Sequence, residues 1–297
     1  MRRWRGVTAL AAVVMAVLAG CGTPAGTDGD LTDDWRPIGD VEQFTPKVGH
    51  CHLTGDPTSY LTSYQPVDCV QTHLVETFHV GRFTDTLAAR PTPPKVGTAV
   101  LRPAFAECDT QAREFLGGDW HSARLVVQVG PPSPNVWAAG SRWFRCDVFE
   151  VSAVETGGDN ESDWPTQHAG TLRDALKDAA SPLAYGCVAR TIGGLLQVPC
   201  TNAHWIEYAG TWTAPEVPFA TLARDENRIH ARCQTVIAGY AKLPVDRLLP
   251  YRTSSMYGLP SQAAWARGDR QVRCFIWSYD QLKRSVKGGG PKALPVH

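Results

Sequence analysis

Apolar and polar positions alternate in part over residues 73–83, 123–129 and 143–151, and again over 205–213, 248–253 and 271–279, in runs rich in Val, Phe, Trp and Tyr. A period near two is the mark of strands with one buried face. Between these runs the spacing changes to three or four, in Phe105, Cys108, Ala112 and Phe115 and in Ile229, Cys233, Ile237 and Tyr240. That spacing predicts two amphipathic helices, each aiming one cysteine at the core. Gly117 and Gly118 stop the first helix, and Gly239 falls near the end of the second. Short strands over 49–53 and 187–190 complete two sets that each read β-β-α-β-β. The predicted fold class is α+β: two tandem repeats, each a small antiparallel sheet with one helix packed across a face and stapled by disulfides.

The cysteines serve as rulers for the repeat. Cys69-Val-Gln-Thr-His73-Leu-Val-Glu76 and Cys200-Thr-Asn-Ala-His204-Trp-Ile-Glu207 both read C-x3-H-x2-E. Trp137-Ala-Ala-Gly140-Ser-Arg142-Trp-Phe-Arg145-Cys146 and Trp265-Ala-Arg-Gly268-Asp-Arg270-Gln-Val-Arg273-Cys274 both read W-x2-G-x-R-x2-R-C. Two patterns recur in the same order, which makes the chain a tandem duplication: residues 47–155 and 183–282 are the repeats. Residues 156–182 read as a Gly, Asp, Asn and Ser-rich linker ending in a short amphipathic helix over 172–179, and 283–297 as a frayed tail.

Ahead of the repeats, Arg2, Arg3 and Arg5 precede an uncharged run over residues 6–20. A membrane-spanning helix needs about 20 apolar residues, so this run reads as a signal peptide over 1–20 instead of a permanent span. It ends in Leu18-Ala19-Gly20-Cys21, a lipobox, which predicts cleavage before Cys21 and acylation of its thiol. Acyl chains at one site hold a protein durably when there are two or more of them. The expected location is the extracytoplasmic face of the cell membrane, reached through a lipid anchor and a flexible tether over 21–46.

Charge and cysteine usage narrow the class further. Lys and Arg total 29, and Asp and Glu total 29. Without a basic excess nothing here is built to hold nucleic acid. Nine cysteines divide into Cys21 and two quartets, the even remainder expected of a disulfide framework in an exported chain. The closest spacing, 13 positions between Cys187 and Cys200, is too long for the short Cys pairs of structural zinc sites, and no metal is expected. Each quartet allows three pairings. The favoured set joins Cys51 with Cys69 and Cys187 with Cys200 between adjacent strands, and Cys108 with Cys146 and Cys233 with Cys274 between helix and sheet.

Val48-Gly49-His50-Cys51, the Cys69/His73/Glu76 and Cys200/His204/Glu207 motifs and the two Trp-Gly-Arg-Cys closures resemble the septum formation domain family of actinobacterial envelope proteins, present in two copies. The resemblance covers residues 47–155 and 183–280. Asp68 stands where the family usually has Pro, and Gly186-Cys187 lacks the residue that separates Gly49 from Cys51. The resemblance implies an envelope lipoprotein or single-span protein linked to cell division, and it brings no catalytic residues and no cofactor.

The candidate binding surface is His73, Glu76, His204, Glu207, Trp137, Arg142, Trp265 and Arg270. On a helix the His/Glu pairs would share a face and could hold a metal. In a strand, positions three apart point to opposite faces. The histidine is therefore expected to bond the turn after the cysteine, and the carboxylate to meet Arg142 or Arg270. The Trp/Arg pairs either recognise sugars and carboxylates or form a turn with Trp packed over the disulfide. Neither a zinc-protease, a serine-hydrolase nor a phosphate-loop motif occurs. The chain is expected to be a non-catalytic binding or scaffold module contacting an envelope protein or a cell-wall polymer; an envelope enzyme or metal-binding protein using the His/Glu pairs is the alternative.

Overall fold

The computed structural model of the chain describes residues 44–55, 65–151, 165–178, 180–192 and 194–297. The signal peptide, Cys21, most of the tether and the first part of the linker lie outside the described residues. In chain order the first half contains β1 (His50–His52), β2 (Pro66–Val67), β3 (Thr72–His73), β4 (Val75–Arg82), α1 (Asp85–Ala88), α2 (Arg102–Leu116), β5 (Leu125–Gly130), α3 (Pro134–Ala138), β6 (Trp143–Glu150) and β7 (His168–Ala169). The second contains β8 (Cys187–Thr191), β9 (Gly194–Val198), β10 (His204–Thr213), α4 (Phe219–Ala223), α5 (Glu226–Ala241), β11 (Ser254–Gly258), α6 (Gln262–Arg267) and β12 (Gln271–Leu282).

Each half builds a five-stranded sheet, in the orders β2-β1-β4-β6-β5 and β9-β8-β10-β12-β11. The orders correspond strand for strand, and every pairing is antiparallel. Alternation fixes which face is dry: Phe144, Cys146 and Val148 of β6 join the cluster of α2, with Phe105, Cys108 and Ala112. Cys233 of α5 meets Val272 and Cys274 of β12 in the same way. Gly117 closes α2 in the left-handed conformation, φ 73°, and Lys242 closes α5 at φ 59°.

All four bridges form as favoured: Cys51–Cys69, Cys108–Cys146, Cys187–Cys200 and Cys233–Cys274, with Cα atoms 5.1–5.4 Å apart. The first and third join neighbouring turns and strands; the second and fourth pin helix to sheet.

Several expectations shift. Each sheet gains a fifth strand, because β2 has two residues and β9 has exposed apolar positions without alternation. The strand expected over 248–253 begins only at Ser254, since Pro250 places residues 249–251 in a 3-10 turn. Where a helix is expected over 172–179, the described residues 173–178 form turns and bends. The tail is packed, not frayed: Val286 and Leu294 are 2% and 1% exposed, and Leu294 O accepts from Arg252 Nη1 at 3.0 Å. Burial of these two apolar side chains favours the ordered segment.

Residues 43–297 form one compact unit. The segment after α2 stitches the halves: Arg124 N donates to Leu183 O and Tyr185 N to Ser122 O, each at 2.9 Å. Among the described residues no helix is long and apolar enough to cross a membrane.

Candidate functional site

The repeated C-x3-H-x2-E motif folds identically in both halves. Because a carbonyl can only accept, His73 carries its proton on Nδ1 and donates to Gln71 O at 2.8 Å, as His204 Nδ1 does to Asn202 O at 2.7 Å. The expected bond to the turn is therefore present. Both imidazoles are buried, at 1% and 0% exposure.

The carboxylates do not meet Arg142 or Arg270. Glu76 Oε1 accepts from Thr171 Oγ1 and Oε2 from Leu172 N, each at 2.7 Å. Glu207 Oε1 accepts from Tyr240 OH at 2.5 Å and from the Ser285 hydroxyl, and Oε2 from Val286 N at 2.9 Å. Each glutamate thus clasps the segment that follows its own sheet. The correspondence continues: Arg173 N bonds Thr171 Oγ1 and Lys287 N bonds Ser285 Oγ, both at 3.1 Å. Asp174 N then reaches Phe115 O, and Gly288 N reaches Tyr240 O, both at 2.9 Å, from φ values of 61° and 69°. Arg173 lies over the Phe115 ring and Lys287 over that of Tyr240. Thr171-Leu172-Arg173 and Ser285-Val286-Lys287 are the shared signal, too short to stand out without a cysteine beside it.

In each half the two bridge sulfurs and the glutamate oxygen lie within 4.8 Å: Cys51, Cys69 and Glu76, then Cys187, Cys200 and Glu207. With both thiols joined and the carboxylate held by several donors, neither trio fits a metal.

The Trp/Arg pairs are likewise interior and do not form the expected binding surface. Trp137 is 1% exposed and donates Nε1 to Arg90 O, and Trp265 is 4% exposed and donates to Val217 O, both at 2.9 Å. The guanidiniums of Arg142 and Arg270 sit 4.1 Å over these rings. Arg142 donates to Ala88 O, Trp137 O and Ser141 O; Arg270 donates to Trp265 O, Asp269 O and Glu216 Oε1. Each pair staples a crossing loop to the turn before the last long strand. Trp137 shares a cluster with the Cys108–Cys146 bridge, and Trp265 with Cys233–Cys274.

Two polar groups were not singled out from sequence. On the outer face of the first sheet, His52 Nε2 donates to Thr77 Oγ1 at 3.0 Å, whose hydroxyl donates to Asp147 Oδ1 at 2.7 Å, and Arg145 Nε lies 2.9 Å from Asp147 Oδ2. Burial and the Arg145 charge push the His52 pKa down to about 3, so the ring is neutral; burial raises that of Asp147. Polar residues alternating with apolar ones in β6 are the only sequence signal. Between the halves, His121 Nδ1 lies 2.9 Å from Asp119 and Nε2 3.2 Å from Asp269. Burial alone would lower the His121 pKa, but the two carboxylates outweigh it and the pKa is raised.

The outer face of the second sheet differs. Arg273 Nε and Tyr208 OH both donate to His121 O, so one end is covered by the first half. The other end opens into a groove of about 570 Å3 lined by Arg190, Trp205, His230, Met256, Trp277 and Tyr279, among others.

A family model described as septum formation matches residues 48–274, in one span across both halves. Comparisons with curated proteins and with solved structures return no match. The match covers most of the chain and contains all eight bridged cysteines, so this chain belongs to the septum formation family.

Proposed function

We propose that the chain is a non-catalytic binding module made of two copies of one disulfide-braced fold, lipid-anchored through Cys21 on the outer face of the cell membrane. It works by contact with an envelope protein or cell-wall polymer in association with septum formation. The family supports the link to the septum, and the lipobox supports the anchor. The equal strand order and the matching glutamate clasps support the duplication.

The observation that carries the non-catalytic reading is the burial of His73, Glu76, His204 and Glu207, each at most 2% exposed. General acid–base chemistry needs a group within hydrogen-bond reach of substrate. These side chains hold turns and closing segments instead.

The test is to replace His73 and His204 together by Asn and to follow melting and complementation of a deletion strain. Function that falls only in proportion to stability fits the proposal. Loss of complementation with unchanged melting supports chemistry by the His/Glu pairs and overturns it. Fatty-acid labelling that persists in Cys21→Ser overturns the anchor.

A further inference from the structure

Two tryptophans, Trp205 and Trp277, line the groove on the second sheet. Trp120, Trp137, Trp143 and Trp265 donate their indole N–H groups to protein oxygens, and that of Trp212 is buried without a partner. Trp205 and Trp277 are half-buried, and among the described residues neither indole N–H has a protein partner. Half-buried in the groove wall, these two indoles leave their N–H groups available to an acceptor that comes from outside.

Position explains how they come together. Trp277 stands on the outer face of β12 opposite Ile206 of β10 and Ser254 of β11, and Trp205 precedes Ile206 at an irregularity in the β10–β12 register. Arg190, on β8, places its guanidinium 5.4 Å from the Trp277 ring centre. Arg190 is exposed and, among the described residues, has no carboxylate within ion-pair distance. His230, also in the lining, bonds the Ser255 hydroxyl through Nδ1 at 2.7 Å. No carboxylate lines the groove; burial, and then Glu226, hold up the pKa of the Tyr257 phenol at its edge. The first half has no equivalent: where Phe275 follows Cys274, Asp147 follows Cys146 and is sealed into the His52–Thr77 network.

We propose that this groove binds a carboxylate-bearing glycan, with sugar faces stacked on Trp277 and Trp205, indole N–H groups donating to sugar oxygens and Arg190 receiving the carboxylate. Two flat rings with unspent donors suit the mixed apolar and hydroxyl faces of a sugar. A planar cation with no carboxylate at ion-pair distance among the described residues selects a carboxylate over a neutral ring. The proposal rests on the binding-module reading and names the ligand class of one surface.

The test uses the mature full-length chain and tryptophan fluorescence. Two acidic probes are titrated, a galacturonic acid trisaccharide and the disaccharide of N-acetylglucosamine and N-acetylmuramic acid, each beside its neutral methyl ester. The expected result is saturable quenching with the acid bound roughly tenfold or more tightly than the ester, about 1.4 kcal/mol. Arg190→Gln should erase that preference without changing the melting temperature, and Trp205→Phe, which keeps a ring but removes the N–H, should weaken both forms. No saturable response to either acid up to about 10 mM, the weak end of specific binding, overturns the assignment, as does equal affinity for acid and ester. Crosslinking of the unaltered protein in the envelope separates the two levels: a partner captured although neither acid binds the groove leaves the module reading intact and removes only the glycan.

Discussion

His121 of the first half and Asp269 of the second meet at 3.2 Å between Nε2 and Oδ1, with both side chains almost sealed from water. The other ring nitrogen faces Asp119, and the His121 carbonyl accepts from Arg273, so one residue carries contacts to both halves. The groups facing it are two carboxylates, Asp119 and Asp269, with Arg113 near the first and Arg273 near the second.

Stability should therefore be highest near pH 6.5. His121 has a raised pKa in the folded chain, so its contribution is complete below the unfolded value of 6.5 and is lost as pH rises through the folded value. His52 runs the other way. Its folded pKa is about 3, so below pH 6.5 the unfolded chain binds a proton that the native one refuses. That costs on the order of 3 kcal/mol between pH 6.5 and about pH 4. Asp119 and Asp269, both with lowered pKa, lose their contributions further down, as pH falls through their folded values. Denaturant melts across pH test this. His121→Gln should flatten the alkaline limb and His52→Gln the acid limb; unchanged limbs in either variant contradict the assignment.

Glu207 should hold the last segment of the chain in place. Glu207→Gln replaces one acceptor oxygen by an amide that cannot accept from both Val286 N and its hydroxyl partners, and should cost about 2–3 kcal/mol. Hydrogen exchange should show the Val286 amide losing protection while Cys274 keeps its own. Glu76→Gln should do the same to Leu172. Equal protection in variant and parent would remove the clasp from the account.

Arg142 and Arg270 should be irreplaceable by lysine. A lysine keeps the charge but lacks the planar fork that reaches several carbonyl oxygens while stacked on indole. Arg142→Lys and Arg270→Lys should each lower stability by about 2–3 kcal/mol, measured by urea unfolding. Full rescue by lysine would show that charge alone matters there.

The cysteines made the fold's outline legible. Each quartet sat in a strand or helix pattern whose geometry favoured one pairing, and the helical faces of Cys108 and Cys233 were readable from spacing alone. The destinations of the glutamates were not legible, because Glu76 reaches Leu172 96 positions away and Glu207 reaches Val286 79 positions away. A three-residue signal at that distance is invisible to periodicity. The Trp/Arg pairs were readable as turns, yet their burial depends on the loops at residues 88–90 and 216–217, which carry no pattern of their own. The groove escaped because Arg190, Trp205 and Trp277 come from three strands, and only the pairing order brings them together.

Each half is braced by its own two bridges, and the most direct measurement of this is proteolytic mapping of the mature chain by mass spectrometry without reduction. The expected result is four linked peptide pairs, Cys51 with Cys69, Cys108 with Cys146, Cys187 with Cys200 and Cys233 with Cys274, and no alkylatable thiol among these eight. A bridge joining a cysteine of the first quartet to one of the second, or eight free thiols, would contradict it.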